Sequence, residues 1–191
     1  MRSMRKKLAI ALVLLLLLTG AASAAADTAA APGSHPALAY KAYLKLDGIT
    51  GESNASGYEN WIVLTGLQFD IANSLASSQG GGSGGGKSTL SQFAVTKKTD
   101  AASVPIVLAS LSGTSVKTGR IVLVPQGEGA LPHLTIDLGS VQIAGYSFDN
   151  AVETIMLKFD TIKLSYFPTN PNGSKETPVT GGWSVSQNRK L

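Results

Sequence analysis

The hydrophobic patterning of this 191-residue chain predicts an all-β domain, a barrel or a sandwich, with one flanking helix. Three observations lead there. Most apolar segments from Tyr40 onward alternate with period two, the signature of half-buried strands. Clusters of Gly, Pro, Asn and Asp separate those segments, as turns do. Only one segment repeats its apolar residues at helical spacing.

The strands follow in order. Residues 40–46 form the first, and Asp47-Gly48 with Gly51 mark a turn into a polar loop over 52–59. Residues 61–71 (WIVLTGLQFDI) form the second, where Gly66 signals a bulge. After a glycine tract, residues 90–98 form the third, with Phe93 and Val95 on one face. Residues 101–112 carry the helix. Val104, Val107, Leu108 and Leu111 fall at i, i+3, i+4 and i+7, Ser103 is placed to cap the start, Pro105 sits in the first turn and Gly113 stops it. That stripe is expected to pack against the outside of a sheet.

Strands resume at 119–125, 132–138 and 141–148. The longest run, 152–167, changes parity: Ile155, Leu157 and Phe159 give way to Ile162, Leu164 and Tyr166. A parity change flips the buried face, so a bulge or bend is expected near Asp160-Thr161. A Pro/Gly/Asn loop over 170–182 precedes a last strand at 182–187 with Trp183 and Val185.

The N-terminus bears on where the protein works. Arg2, Arg5, Lys6 and Lys7 precede an apolar run over 8–18, then the small residues Ala22-Ser23-Ala24 and Ala24-Ala25-Ala26. This is the layout of a secretory signal peptide, residues 1–26, with a run too short to span a bilayer. Cleavage follows Ala24 or Ala26, and residues 27–39 read as a flexible Ala/Pro-rich spacer before the domain at 40–191. The expected location is periplasmic or extracellular, with no stable membrane insertion after cleavage. The full chain has 16 basic and 12 acidic residues, a formal charge of +4. Losing those four basic residues leaves the mature chain neutral, which removes the electrostatic case for a nucleic-acid partner. The chain has no cysteine, hence no disulfide framework, thiolate nucleophile or Cys-based metal site.

Motifs that would carry chemistry are thin. Gly81 to Ser88 match the phosphate-cradling G-x-x-x-x-G-K-[ST], but that mechanism needs a helix opening directly after the Lys-Ser. Strand-like alternation follows instead, so the tract reads as a Gly-rich surface loop. His133 reads as an exposed residue at a strand entry, His35 lies in the spacer, and no G-x-S-x-G elbow exists. Neither His nor carboxylate spacing suggests a metal site, and no cofactor or catalytic residue is expected. Trp61 and Trp183 read as packing rather than as a carbohydrate patch. Asn54-Ala55-Ser56 and Asn172-Gly173-Ser174 match the glycosylation sequon, a pattern too short to be specific.

The order of segments resembles the Hcp family, the haemolysin-coregulated proteins that build the inner tube of type VI secretion systems. Residues 43–53 (YLKLDGITGES) are similar to the family's opening strand, and 63–69 (VLTGLQF) to its second. Residues 93–100 (FAVTKKTD) with the helix to Ser112-Gly113 match its strand-then-helix segment, and 181–188 (GGWSVSQN) its closing strand. The resemblance implies a small β-barrel of two curved sheets with one lateral helix. It further implies a non-enzymatic protein whose homo-hexameric rings stack into a tube with effector proteins in its lumen, in contact with other secretion-system components. The tract Gly80, Gly81, Gly82, Ser83, Gly84, Gly85, Gly86 and Lys87 is similar to the family's extended loop, and ring-to-ring contact is expected there. One feature departs from the family, whose tubes assemble in the cytoplasm without a signal peptide. The alternative is an exported β-barrel binding module or adhesin that keeps the fold without the tube.

Overall fold

The structure, a computed structural model, describes residues 40–73, 88–127, 131–168, 170, 174 and 176–191. Nine strands and one helix follow one another: β1 (Tyr40–Leu46), β2 (Ile62–Asn73), β3 (Ser88–Lys98), α1 (Ser103–Ser112), β4 (Ser115–Pro125), β5 (Leu134–Asp149), β6 (Val152–Lys158), β7 (Thr161–Tyr166), β8 (Val179–Ser184) and β9 (Arg189–Lys190). Six of them close a barrel in the order β4-β1-β2-β3-β6-β5, with β5 returning to β4. Every pairing is antiparallel. The remaining strands, β7-β8-β9, extend from β5 as a side sheet.

Alternation explains which faces are covered. Ala42, Leu44 and Leu46 on β1 point into the same buried cluster as Ile62 and Leu64 on β2, Phe93 and Val95 on β3, and Ile136 and Leu138 on β5. Burying each large aliphatic side chain contributes about 1.5–3 kcal/mol. The bulge expected at Gly66 is present, since the β2–β3 register slips by one residue between Leu64 and Gly66.

The bend expected at Asp160-Thr161 is also present, and its role is topological. Pairing with β5 runs on from Lys158 opposite Gln142 to Thr161 opposite Gly139. On its other side β6 pairs with β3, whereas β7 pairs with β8. The kink thus passes one long strand from the barrel to the side sheet, held by Asp160 N–H on Gly139 O at 2.9 Å and Val185 N–H on Asp160 O at 2.7 Å.

Four expectations need correction. The strands expected at 132–138 and 141–148 are one, β5, whose pairing with β4 runs on from Leu138 to Val141. The closing strand lies at Val179–Ser184 rather than 182–187, because residues 179–184 are the ones that pair with β7, and 185–188 turn back into β9. The polar loop after β1 forms as expected and is an ordered cover: Gly51 N–H donates to Asn60 O (2.9 Å), Asn60 N–H to Ser53 O (2.8 Å) and Ser53 N–H to Trp61 O (3.0 Å). It buries the far face of β1 and β4, where Tyr58 stacks on Tyr43 at 4.6 Å and meets Trp61 edge-on at 5.4 Å. The helix forms as expected and ends on Gly113 at φ 66°, but with its stripe reversed. Val104, Leu108 and Leu111 are 67%, 59% and 80% exposed, while Ala102 and Ile106 join the barrel core and Ala109 packs against it. Finally, Ser103 makes no capping hydrogen bond, because its hydroxyl is engaged elsewhere.

Gly51 is the position where the cover loop passes closest to β2. A Cβ there would collide with the Trp61 carbonyl and lie 2.6 Å from Ile62 N, both backbone atoms. Gly51→Ala is expected to destabilise the domain by about 2 kcal/mol, the range for overpacking a tight site. Gly181→Ala, which meets open space, is expected to leave the melting temperature within a degree or so. Thermal denaturation of the two variants beside the parent checks the pair.

Candidate assembly surface

The start of the helix is held by a buried polar cluster that strand and helix patterning do not reveal. Lys97 on β3, Ser103 at the first turn of α1 and Glu153 on β6 are all buried. Lys97 Nζ donates to Glu153 Oε2 at 2.8 Å, to Ser103 Oγ at 2.9 Å and to Asp100 Oδ1 at 2.9 Å, which uses all three of its hydrogens. Ser103 Oγ donates to Glu153 Oε1 and accepts Asp100 N–H at 3.0 Å. Asp100 Oδ1 also accepts Ala102 N–H at 2.9 Å, tying down the turn into the helix. Burial pushes the Glu153 carboxyl up, but hydrogen bonds from Lys97 and Ser103, the Lys97 charge and a Thr99 hydrogen bond outweigh it. The net effect holds the carboxyl below its ordinary value. The Tyr146 hydroxyl is pushed up by burial, then by the Glu153 charge and its hydrogen bond to Glu153.

A serine beside a lysine invites comparison with a Ser-Lys nucleophile. Here the Ser103 hydroxyl hydrogen goes to Glu153, and Lys97 is ion-paired on two sides. Fully satisfied and sealed in the core, the cluster positions α1 rather than presenting a nucleophile.

Outside the core, apolar surface gathers where the sheets part. Pairing of β1 with β2 ends at Leu64 and pairing of β3 with β6 ends at Ala94. Beyond those points β2 and β3 continue paired with each other to Asn73 opposite Ser88, a ribbon of two strands among the described residues. A groove of about 290 Å³ lies between ribbon and side sheet, lined by Phe69 and Ile71 on one side and Ile162, Leu164, Trp183 and Val185 on the other, with Phe159 at the kink. Phe69 stacks on Phe93 at 5.6 Å, and Phe93 meets Phe159 edge-on at 5.2 Å, so the groove floor is continuous with the barrel core.

The residues singled out from sequence fall in different places. Gly80 to Lys87 lie outside the described residues, but β3 begins at Ser88, so a strand follows the Lys-Ser where a P-loop requires a helix. His133 is not an exposed strand-end residue. It is half-buried, stacked on Tyr40 at 5.0 Å and met edge-on by Tyr166 at 4.9 Å. Trp61 packs in the cover loop with Lys45 Nζ 5.7 Å from its ring, and Trp183 packs against the core and lines the groove. No group of three or more His, Asp or Glu among the described residues is disposed to hold a metal ion.

Residues 43–166 match the family model described as "Type VI secretion system effector, Hcp". The chain belongs to the Hcp family. Among solved structures, a type six secretion system protein is similar at 26% identity and TM-score 0.72, over 80% of this chain and 100% of that one. Hcp1 from Salmonella typhimurium is similar at 24% identity and TM-score 0.64, over 81% and 100%. A type VI secretion system effector from Yersinia pestis follows at 23% identity and TM-score 0.61, over 75% and 99%. These last two establish the shared fold, a closed barrel with extra strands and one helix. No curated protein matches the chain in sequence.

The buried cluster yields a test with a defined sign. Glu153→Gln leaves Lys97 buried with one anionic partner fewer and is expected to cost about 3 kcal/mol, whereas Lys97→Met with Glu153→Leu together is expected to cost less than either single change. Because the folded carboxyl lies below its unfolded value, its contribution is fully present above the ordinary 4.5 and is lost as pH falls through the folded value. Urea unfolding from about pH 7 down to pH 3 checks both points, with Glu153→Gln expected to flatten the acid limb.

Proposed function

We propose that this chain is a non-enzymatic structural protein that assembles into homo-hexameric rings, which stack into a tube with effector proteins in its lumen. The observation that carries this reading is the family match over 43–166, supported by alignments that span the whole of a type six secretion system protein and of Hcp1 from Salmonella typhimurium. The fold supports it physically, because apolar surface gathered in a groove beside the barrel is a feature that association covers. Gly80 to Lys87 form the ring-to-ring loop in this reading. Residues 1–26 act as a signal peptide and 27–39 as a spacer, so the rings form outside the inner membrane, in contact with secretion components there.

The basic and Leu-rich start of the chain also favours a second reading, an exported β-barrel binding module or adhesin with the same fold and no tube. The two differ in one measurement. Purified protein beginning at Asp27 is expected to sediment as a hexamer and to show rings by negative-stain electron microscopy. A monomer at high protein concentration would instead establish the binding module. Fractionation of cells carrying the full-length chain is expected to find the shortened product outside the cytoplasm.

A further inference from the structure

One face of the sheet carries a row of charges apart from both the groove and the buried cluster. Register places Lys45 on β1 opposite Arg120 on β4, Arg120 opposite Asp137 on β5, and Asp137 opposite Lys163 on β7. Their neighbours along the strands, Leu44, Ile121, Ile136 and Ile162, belong to the core, so alternation turns all four charged residues outward. Like charges directly opposite one another destabilise a strand pair, a cost at Lys45 and Arg120 that an anion between them removes. Trp61 steadies the lysine, with Nζ 5.7 Å from its ring centroid.

Both cations keep free donors. Among the described residues Lys45 makes no hydrogen bond or ion pair, and Arg120 uses only its Nε, on Asp137 Oδ1, leaving the terminal nitrogens open. The two line a cleft of about 450 Å³ with Asp47, Trp61, Thr118 and Asp137. That set is mixed: two cations suit an oxyanion, while two carboxylates and a hydroxyl suit hydroxyl groups. A cleft of this size takes a sugar-sized ligand. Lys163 lies two strand spacings beyond Arg120, about 10 Å along the same row, within reach of a further acidic unit of a polymer. Nucleic-acid bases need aromatic faces to stack on, whereas the one ring in the cleft, Trp61, is taken by Lys45 and edged by Tyr58. We propose that this cleft binds an acidic glycan, with a sugar carboxylate bridging Lys45 and Arg120 and sugar hydroxyls on Asp47, Thr118 and Asp137.

Calorimetric titration of the purified protein at low ionic strength, where charge contacts are least screened, tests the site. The probes are an oligogalacturonate, its methyl ester and a DNA oligonucleotide of similar charge. The oligogalacturonate is expected to bind, and the ester and the DNA to bind at least tenfold more weakly. Lys45→Gln and Arg120→Gln are each expected to weaken oligogalacturonate binding about tenfold, the loss of one charge-assisted contact. Their melting temperatures are expected to stay within a degree or so of the parent, because exposed charges contribute little to stability. Lys98→Gln, at an exposed lysine on β3 outside the row, is expected to bind like the parent. Absence of binding, an ester or DNA that binds as tightly as the acid, or Lys45→Gln and Arg120→Gln that both bind like the parent would each overturn the site. None of these outcomes touches ring assembly, which sedimentation reads separately.

Discussion

The pairing of β5 on both of its sides is the constraint on which the architecture depends. Over 134–139 this strand is bonded to β4 on one side and β7 on the other, and over 142–149 it is bonded to β6. The β4 seam closes the barrel and the β7 seam founds the side sheet. A sixteen-residue strand can serve both because its partner line is continuous while its partner changes direction at Phe159-Asp160. Closure pairs β4 with β5 and so removes the edges of the six-stranded sheet from the barrel.

Where β4 ends, at Ser115 opposite Gln142, β5 runs on alone on that side, and α1 packs against it. The helix therefore serves as a stopper. A stopper needs small residues at its point of insertion, and Ala102, Ser103 and Ala109 around the one large side chain of Ile106 meet that need. Lys97 and Glu153 hold its entry. A buried pair of this kind is weak evidence for stability, because desolvation offsets much of the attraction. Its geometric effect is clearer: Glu153 of the distant β6 meets the β3-to-α1 junction at one serine hydroxyl. Outside the core the fold leaves a groove whose floor is the core itself.

Most strands were legible because alternation is a direct consequence of backbone geometry: side chains on a strand point to opposite faces whatever surrounds them. The bulge at Gly66 and the bend at Asp160 were legible for the same reason, since both are visible as slips in a two-residue period. The helix face was not. The ten residues of α1 include no charge, so two apolar stripes, 104-108-111 and 102-106-109, compete, and helical spacing accepts either. The stripe with more large apolar residues is the one left outside. His133 stands at a strand entry as expected, but its partial burial was not legible, because nothing local announces Tyr40 and Tyr166, which reach it from the first and seventh strands.

The sequence by itself determined the class of fold, the place of nearly every strand, the family, and the lack of thiol chemistry. These depend on periodicity, segment order and composition, which are local or additive. Tertiary structure alone decided which helix face is buried, that Lys97, Ser103 and Glu153 meet, and that ribbon and side sheet face each other across an apolar groove. Each of these depends on distances between residues far apart in the chain: 56 positions separate Lys97 from Glu153. Closing the barrel sets those distances, and no local pattern encodes them.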